Sequence, residues 1–142
     1  MKCNTYHIQL NVSNPKVSLP FYKELFVYFE YKIIDEGDEW TGFSNGTTDF
    51  WFIETESKYK KNKFHRKNTG INHISLRVQS KSDVDKFTKD FLNKRNIKTL
   101  YETPKLFPQH REGFTLTQKM TENKEFVKFF NLSLENKILE VA

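Results

Sequence analysis

The sequence predicts an α+β fold made of two successive βαβββ modules. Two observations carry this. The chain repeats itself, and each repeat reads as a strand, a helix and further strands in the same order. A 66-residue shift lays His7-Ile8-Gln9-Leu10-Asn11-Val12 over His73-Ile74-Ser75-Leu76-Arg77-Val78, with Phe21 on Phe87, Lys23 on Lys89 and Lys32 on Lys98. Seven of the 28 positions from 7 to 34 are identical, where ordinary composition gives about two by chance. The ends of the halves match at a shift of 86, with Phe43 on Phe129, Asn45 on Asn131 and Glu54 on Glu140. The second half therefore holds about 20 extra residues between Leu100 and Phe126. We place module one at 5–55, a basic and polar linker at 56–69 and module two at 70–142, all within one domain.

In module one, residues 6–12 alternate apolar and polar, which marks a half-buried strand. Asn14-Pro15 is a helix start, and Val17, Phe21, Leu25 and Tyr28 form its apolar stripe. Pro20 interrupts that stripe, so either the helix bends there or its regular part begins near Ser18. Residues 31–35 read as a strand. Trp40–Ser44 and Asp49–Glu54 flank Asn45-Gly46, a hairpin signal. Module two follows the same order. Ile71–Val78 is a strand, Ser82-Asp83-Val84-Asp85 a helix cap, and Val84, Phe87 and Phe91 a stripe. Ile97–Tyr101, Phe126–Phe130 and Lys137–Val141 complete its strands.

Bulk properties narrow the function classes. Apolar residues make up 37%, with 14 Phe and 6 Tyr, enough for a packed core and too many for a disordered chain. The net charge of +5 and pI near 9.2 favour a small anionic ligand. Basic residues are spread along the chain apart from the run Lys58 to Lys67, which reads as a solvated loop rather than a nucleic-acid patch. A single cysteine, Cys3, allows no intrachain disulfide. No stretch approaches 18 apolar residues and no apolar leader is present, so a cytoplasmic setting without membrane contact is expected.

Strand parity then picks out candidate residues. His7, Gln9 and Asn11 share the polar face of the first strand, and His73, Ser75 and Arg77 share that of its repeat. Glu54 shares its strand face with Phe50 and Phe52, and Glu140 with Ile138. A carboxylate among such neighbours is costly to bury unless something pairs with it. Two imidazoles and two carboxylates at matched positions suit a divalent metal such as Zn, Ni, Co, Mn or Fe. His7, Glu54, His73 and Glu140 are thus the candidate ligands of one metal.

The segments HIQLNV at 7–12, SLPFYKELF at 18–26, GINHISLRV at 70–78 and NKILEVA at 136–142 resemble the vicinal-oxygen-chelate superfamily. That group includes glyoxalase I, bleomycin-resistance proteins and extradiol dioxygenases. The resemblance covers nearly the whole chain and is closest to glyoxalase I-like members. It implies paired modules forming an incomplete eight-stranded cup. It also implies a metal held by His7, Glu54, His73 and Glu140; three-ligand members use the two His and the final Glu, which leaves Glu54 spare. One departure is Ser133-Leu134-Glu135-Asn136, which stands where the family carries an Asp-Pro-Asp-Gly-like turn. A turn one residue longer would put Glu140 on the other face.

The leading expectation is a metal-dependent lyase or isomerase. The metal would polarise a small oxygen-chelating substrate, and Glu54 or Glu140 would move a proton. Gln9, Asn11, Phe50, Phe52, Ser75 and Arg77 are the expected substrate contacts, Arg77 suiting an anionic group. Two alternatives remain. One is a metal-free protein that sequesters an aromatic or cationic drug, as bleomycin-resistance members do, with Trp40 and Trp51 beside Phe50 and Phe52. The other is a ring-cleaving dioxygenase using two His, one Glu and iron. A homodimer is expected. The long segment 101–125 reads either as a lid or as a surface insertion with its own hairpin.

Overall fold

The computed structural model describes residues 1–61, 69–70, 74–78, 80–97, 105–106, 114–115, 130–133 and 138–141. The chain divides into two compact units, Met1–Lys63 and Phe64–Ala142.

The first unit is a complete βαβββ module: β1 (His7–Val12), α1 (Pro15–Tyr28), β2 (Lys32–Glu36), β3 (Trp40–Ser44) and β4 (Asp49–Glu54). The sheet order is β1-β4-β3-β2, with β1 parallel to β4 and the other pairs antiparallel. The parallel pair exists because α1 carries the chain back across the sheet before the β2-β3-β4 meander begins. Asn45-Gly46 turns the β3–β4 hairpin: Gly46 takes φ +84°, and the Asn45 side chain accepts from the Thr47 and Thr48 amides at 3.0 and 2.9 Å.

One face of this sheet is built for α1. Phe43, Phe50 and Phe52 are buried there beneath Tyr22, Leu25 and Phe26 of the helix. Phe26 lies 5.0 Å from the Phe43 and Phe50 rings, and Tyr22 stacks 3.5 Å from Phe52, centroid to centroid. The buried helix positions are Ser18, Leu19, Tyr22, Leu25 and Phe26, so the predicted stripe is shifted around the helix. Leu25 holds its place, whereas Val17 is 40% exposed and Phe21 and Tyr28 are half-buried. Pro20 lies within α1 on its exposed side. The predicted break there does not shorten the helix, because solvent can satisfy the carbonyl that lacks a partner.

Burial raises the Tyr22 phenol far above the ordinary tyrosine value, and raises that of Tyr31 as well.

The second unit holds β5 (Ile74–Arg77), α2 (Lys81–Phe87), β6 (Lys105–Leu106), β7 (Phe114–Thr115), β8 (Phe130–Ser133) and β9 (Ile138–Val141). After α2 the helical path continues through a wider turn, Thr88–Leu92, and a tighter one, Asn93–Arg95. Val84, Phe87 and Phe91 are buried as their spacing predicts, together with Leu92. The cap is Ser80, whose Oγ accepts from the Asp83 amide at 3.2 Å, two residues before the predicted Ser82.

Both helices end alike. Glu30 and Asn96 take positive φ, and the following amides reach back five residues, Tyr31 to the Phe26 carbonyl at 2.9 Å and Ile97 to Leu92 at 3.0 Å. This is the Schellman closure. Asn14 and Ser80 at the start, and Glu30 and Asn96 at the end, are each 66 residues apart, the repeat interval of the sequence.

The strands of the second unit are ordered β5-β9-β8, with β5 antiparallel to β9 where β1 is parallel to β4. Strand β8 runs through Phe130–Ser133, later than the predicted Phe126–Phe130. Within the segment 101–125, β6 and β7 pair antiparallel, as the hairpin reading of that segment expects. The predicted strand residues 71–73, 98–101, 126–129 and 137 lie outside the described residues. The fold is therefore mixed α+β, with one four-stranded sheet shown in full.

Candidate functional site

The register of the first sheet assigns every side chain to a face. In β1 and β4, His7 is opposite Asp49, Gln9 opposite Trp51 and Asn11 opposite Ile53. The alternate set, Ile8, Leu10 and Val12 against Phe50, Phe52 and Glu54, looks toward α1. Side chains paired across neighbouring strands share a face. Extending the rows through β3 and β2 adds Trp40, Gly42, Ser44, Lys32 and Asp35 to the face carrying His7. The ion pair of Lys23 on α1 with Glu36, at 2.6 Å, fixes the alternation from the other side, since Glu36 must then face the helix.

The face turned away from α1 is a polar and aromatic surface. His7, Gln9 and Asn11 are exposed along β1. Trp51 lies flat against Gly42, its direct partner on β3; a Cβ there would come within 2.8 Å of the indole ring. Only glycine leaves the space in which that ring lies down. Trp40 is folded over Gly37 in the same way, a Cβ there meeting the ring at 2.6 Å. Its Nε1 donates to the Asp35 carboxylate at 3.0 Å, which holds the indole in place. Asp49, half-buried, stands two residues before Trp51 on the same face. The Tyr6 ring meets His7 edge-on at 5.6 Å.

Several expected site residues lie elsewhere. Phe50 and Phe52, expected against the substrate, are 3% and 0% exposed and form the helix-side core. Glu54 is on that same helix-side face and pairs with Lys60 just beyond β4. It does not join His7: the two occupy opposite faces of the sheet, five register positions or about 16 Å apart along the strands. The expected set of four ligands on one metal therefore fails at Glu54. Among the described residues, no group of three or more His, Cys, Asp or Glu side chains gathers as a metal would require. His73 lies outside the described residues. Glu140 pairs with Ser75 across β9 and β5, and Arg77 with Ile138.

Sequence reasoning missed Asp35, Gly42 and Asp49 as neighbours of the two indoles. The signal lay in the alternation of β3 and β4, which places Gly42 in line with Trp40 and Asp49 in line with Trp51.

Solved structures share this α+β fold. The chain is similar to a proposed glyoxalase from Bacillus halodurans, with 24% identity, 96% of this chain and 92% of that one covered, and a TM-score of 0.72. It is also similar to a hypothetical protein from S. aureus, with 20% identity, 94% of each chain covered and a TM-score of 0.57. These likenesses establish a glyoxalase-like fold. Neither a protein-family model nor a curated protein sequence matches the chain. No helix among the described residues is long and apolar enough to cross a membrane.

Proposed function

We propose that this chain is a small-molecule-binding protein on the glyoxalase-like fold, its two βαβββ modules forming a cup that receives the ligand. The ligand would rest on the face of the first sheet turned away from α1. The arrangement of Trp51 over Gly42 carries this reading. An indole lying flat on a sheet presents its ring face to a ligand at little entropic cost, because it is already held. Trp40 widens that aromatic surface, and Gln9 and Asn11 supply donors and acceptors along one edge. The carboxylates of Asp49 and Asp35 favour a ligand whose ring carries positive charge. The net positive charge of the whole chain is thus a poor guide to this surface.

Titrating the protein with planar aromatic cations and anions while following tryptophan fluorescence tests the proposal. Saturable quenching by the cations, weakened at least tenfold by Trp51→Ala, is the expected result. Equal quenching of wild type and variant would refute it.

A second reading is favoured by the place of His7 at the start of β1 on the same face. It is a metal-dependent lyase or isomerase with His7, His73 and Glu140 as the ligands and Glu54 outside the set. Ser75 and Arg77 would then bind an anionic substrate. The donor types suit Zn, Ni, Co, Mn or Fe. Elemental analysis of protein purified without a His tag separates the readings: about one metal per chain, lost in His7→Ala, supports the enzyme.

A further inference from the structure

Strand β2 is irregular where it meets the ligand face. Its register against β3 slips between Ile33, opposite Phe43, and Asp35, opposite Gly42. Ile34 is the extra residue, and its side chain is exposed. Strict alternation from Lys32 would put Ile34 on the ligand face and Asp35 on the helix side. The bulge shifts that parity by one residue. Asp35 thereby comes to the face carrying Trp51, and Glu36 turns to the helix side, where it meets Lys23.

The result is a row crossing all four strands: Gln9 on β1, Trp51 on β4, Gly42 on β3 and Asp35 on β2. It covers three strand spacings, about 14 Å. The six-membered part of the Trp51 ring lies over Gly42, so the indole leans from β4 toward β2. At that end the Asp35 carboxylate accepts from Trp40 Nε1 at 3.0 Å, which sets a second indole beside it. The row thus has a direction, with a neutral amide at one end and a carboxylate with an aromatic neighbour at the other.

Asp49, also on this face, is placed differently. Its row is His7, Asp49, Ser44 and Lys32, so its charge shares a row with a cation, and it is half-buried. Asp35 is exposed, and the other three members of its row are uncharged. A carboxylate so placed, next to an indole, is the stronger attractor of an organic cation.

We propose that Asp35 determines the specificity of the ligand face, drawing the positive end of a flat ligand to the β2 side, over Trp40, with the neutral end toward Gln9. This rests on the ligand-binding reading above and adds the direction in which the ligand lies. The bulge at Ile34 is the device that makes it so, because a regular strand would have offered Ile34 to the ligand instead.

Calorimetric titration of the full chain with N-methylquinolinium, a flat cation charged at one end, and with neutral quinoline tests the idea. Asp35→Asn keeps an acceptor for the Trp40 Nε1–H and removes the charge. It should weaken N-methylquinolinium binding about fivefold and leave quinoline unchanged, and the difference should vanish in about 1 M salt. Asp49→Asn should lose about twofold or less. In nuclear Overhauser spectra the N-methyl protons should meet the Trp40 ring and not the Gln9 amide. Wild type that binds no N-methylquinolinium would overturn the ligand-binding reading and this inference together. Binding that Asp35→Asn leaves unaltered, an equal loss for quinoline, or N-methyl contacts at Gln9 would overturn this inference alone.

Discussion

His7 and Glu54 lie on opposite faces of one four-stranded sheet, although strands β1 and β4 that carry them are direct neighbours. The parallel register sets His7 beside Asp49 at one end and Glu54 beside Val12 at the other. Glu54→Gln should therefore leave metal content unchanged in any metal-loaded preparation, whereas His7→Ala should not. It should also cost less than about 1 kcal/mol of stability, since its ion pair with Lys60 is partly exposed and screened by water. Elemental analysis and denaturant unfolding of the two variants check both statements.

The two faces of β4 should respond oppositely to truncation. Phe52 is fully buried against Tyr22 and Phe26, so Phe52→Ala should destabilise by roughly 3–5 kcal/mol. Trp51→Ala removes a ring from the other face and should cost far less while weakening ligand quenching at least tenfold. Urea midpoints of the two variants, measured side by side, decide this.

The helix ends offer a gain of stability. Glu30 holds a left-handed conformation that costs a side chain about 1 kcal/mol and glycine almost nothing. Glu30→Gly should raise the unfolding free energy by about that amount. Asn96→Gly should gain less, because asparagine tolerates the same conformation.

At the start of α2, Ser80→Ala should cost about 1 kcal/mol, through loss of the bond that its hydroxyl accepts from the Asp83 amide. Ser82→Ala, one turn position inside the helix, should have a much smaller effect. Thermal unfolding of the pair tests the cap assignment.

Alkaline pH should unfold the protein through Tyr22. Burial raises its folded-state pKa well above the ordinary tyrosine value of about 10. The neutral phenol is thus favoured in the folded state. Its contribution is complete below pH 10 and is lost as pH rises further, because the unfolded chain releases the proton first. Absorbance at 295 nm should show tyrosines titrating near their ordinary value, and one that ionises only as the protein unfolds. Tyr22→Phe should reduce the stability lost above pH 10.

Much of the first module was legible from residues alone. The alternation at 7–12, the Asn14-Pro15 start and the Asn45-Gly46 turn are local signals, and local backbone chemistry obeys them: β3 and β4 run over the predicted residues. The 66-residue repeat reappears in space as matched helix-start positions and matched Schellman closures. Applied to the cap itself, it would have pointed from Asn14 to Ser80 rather than to Ser82. Parity also grouped Glu54 with Phe50 and Phe52. What the sequence could not decide was which face of the strand that group takes, because alternation defines two sets without saying which one meets the helix. The pairing of β4 with β1 and the packing of Tyr22 and Phe26 decide it. They draw Phe50 and Phe52 into the core, carry Glu54 to the helix side with them, and leave Trp51 lying on Gly42 beside His7, Gln9 and Asn11.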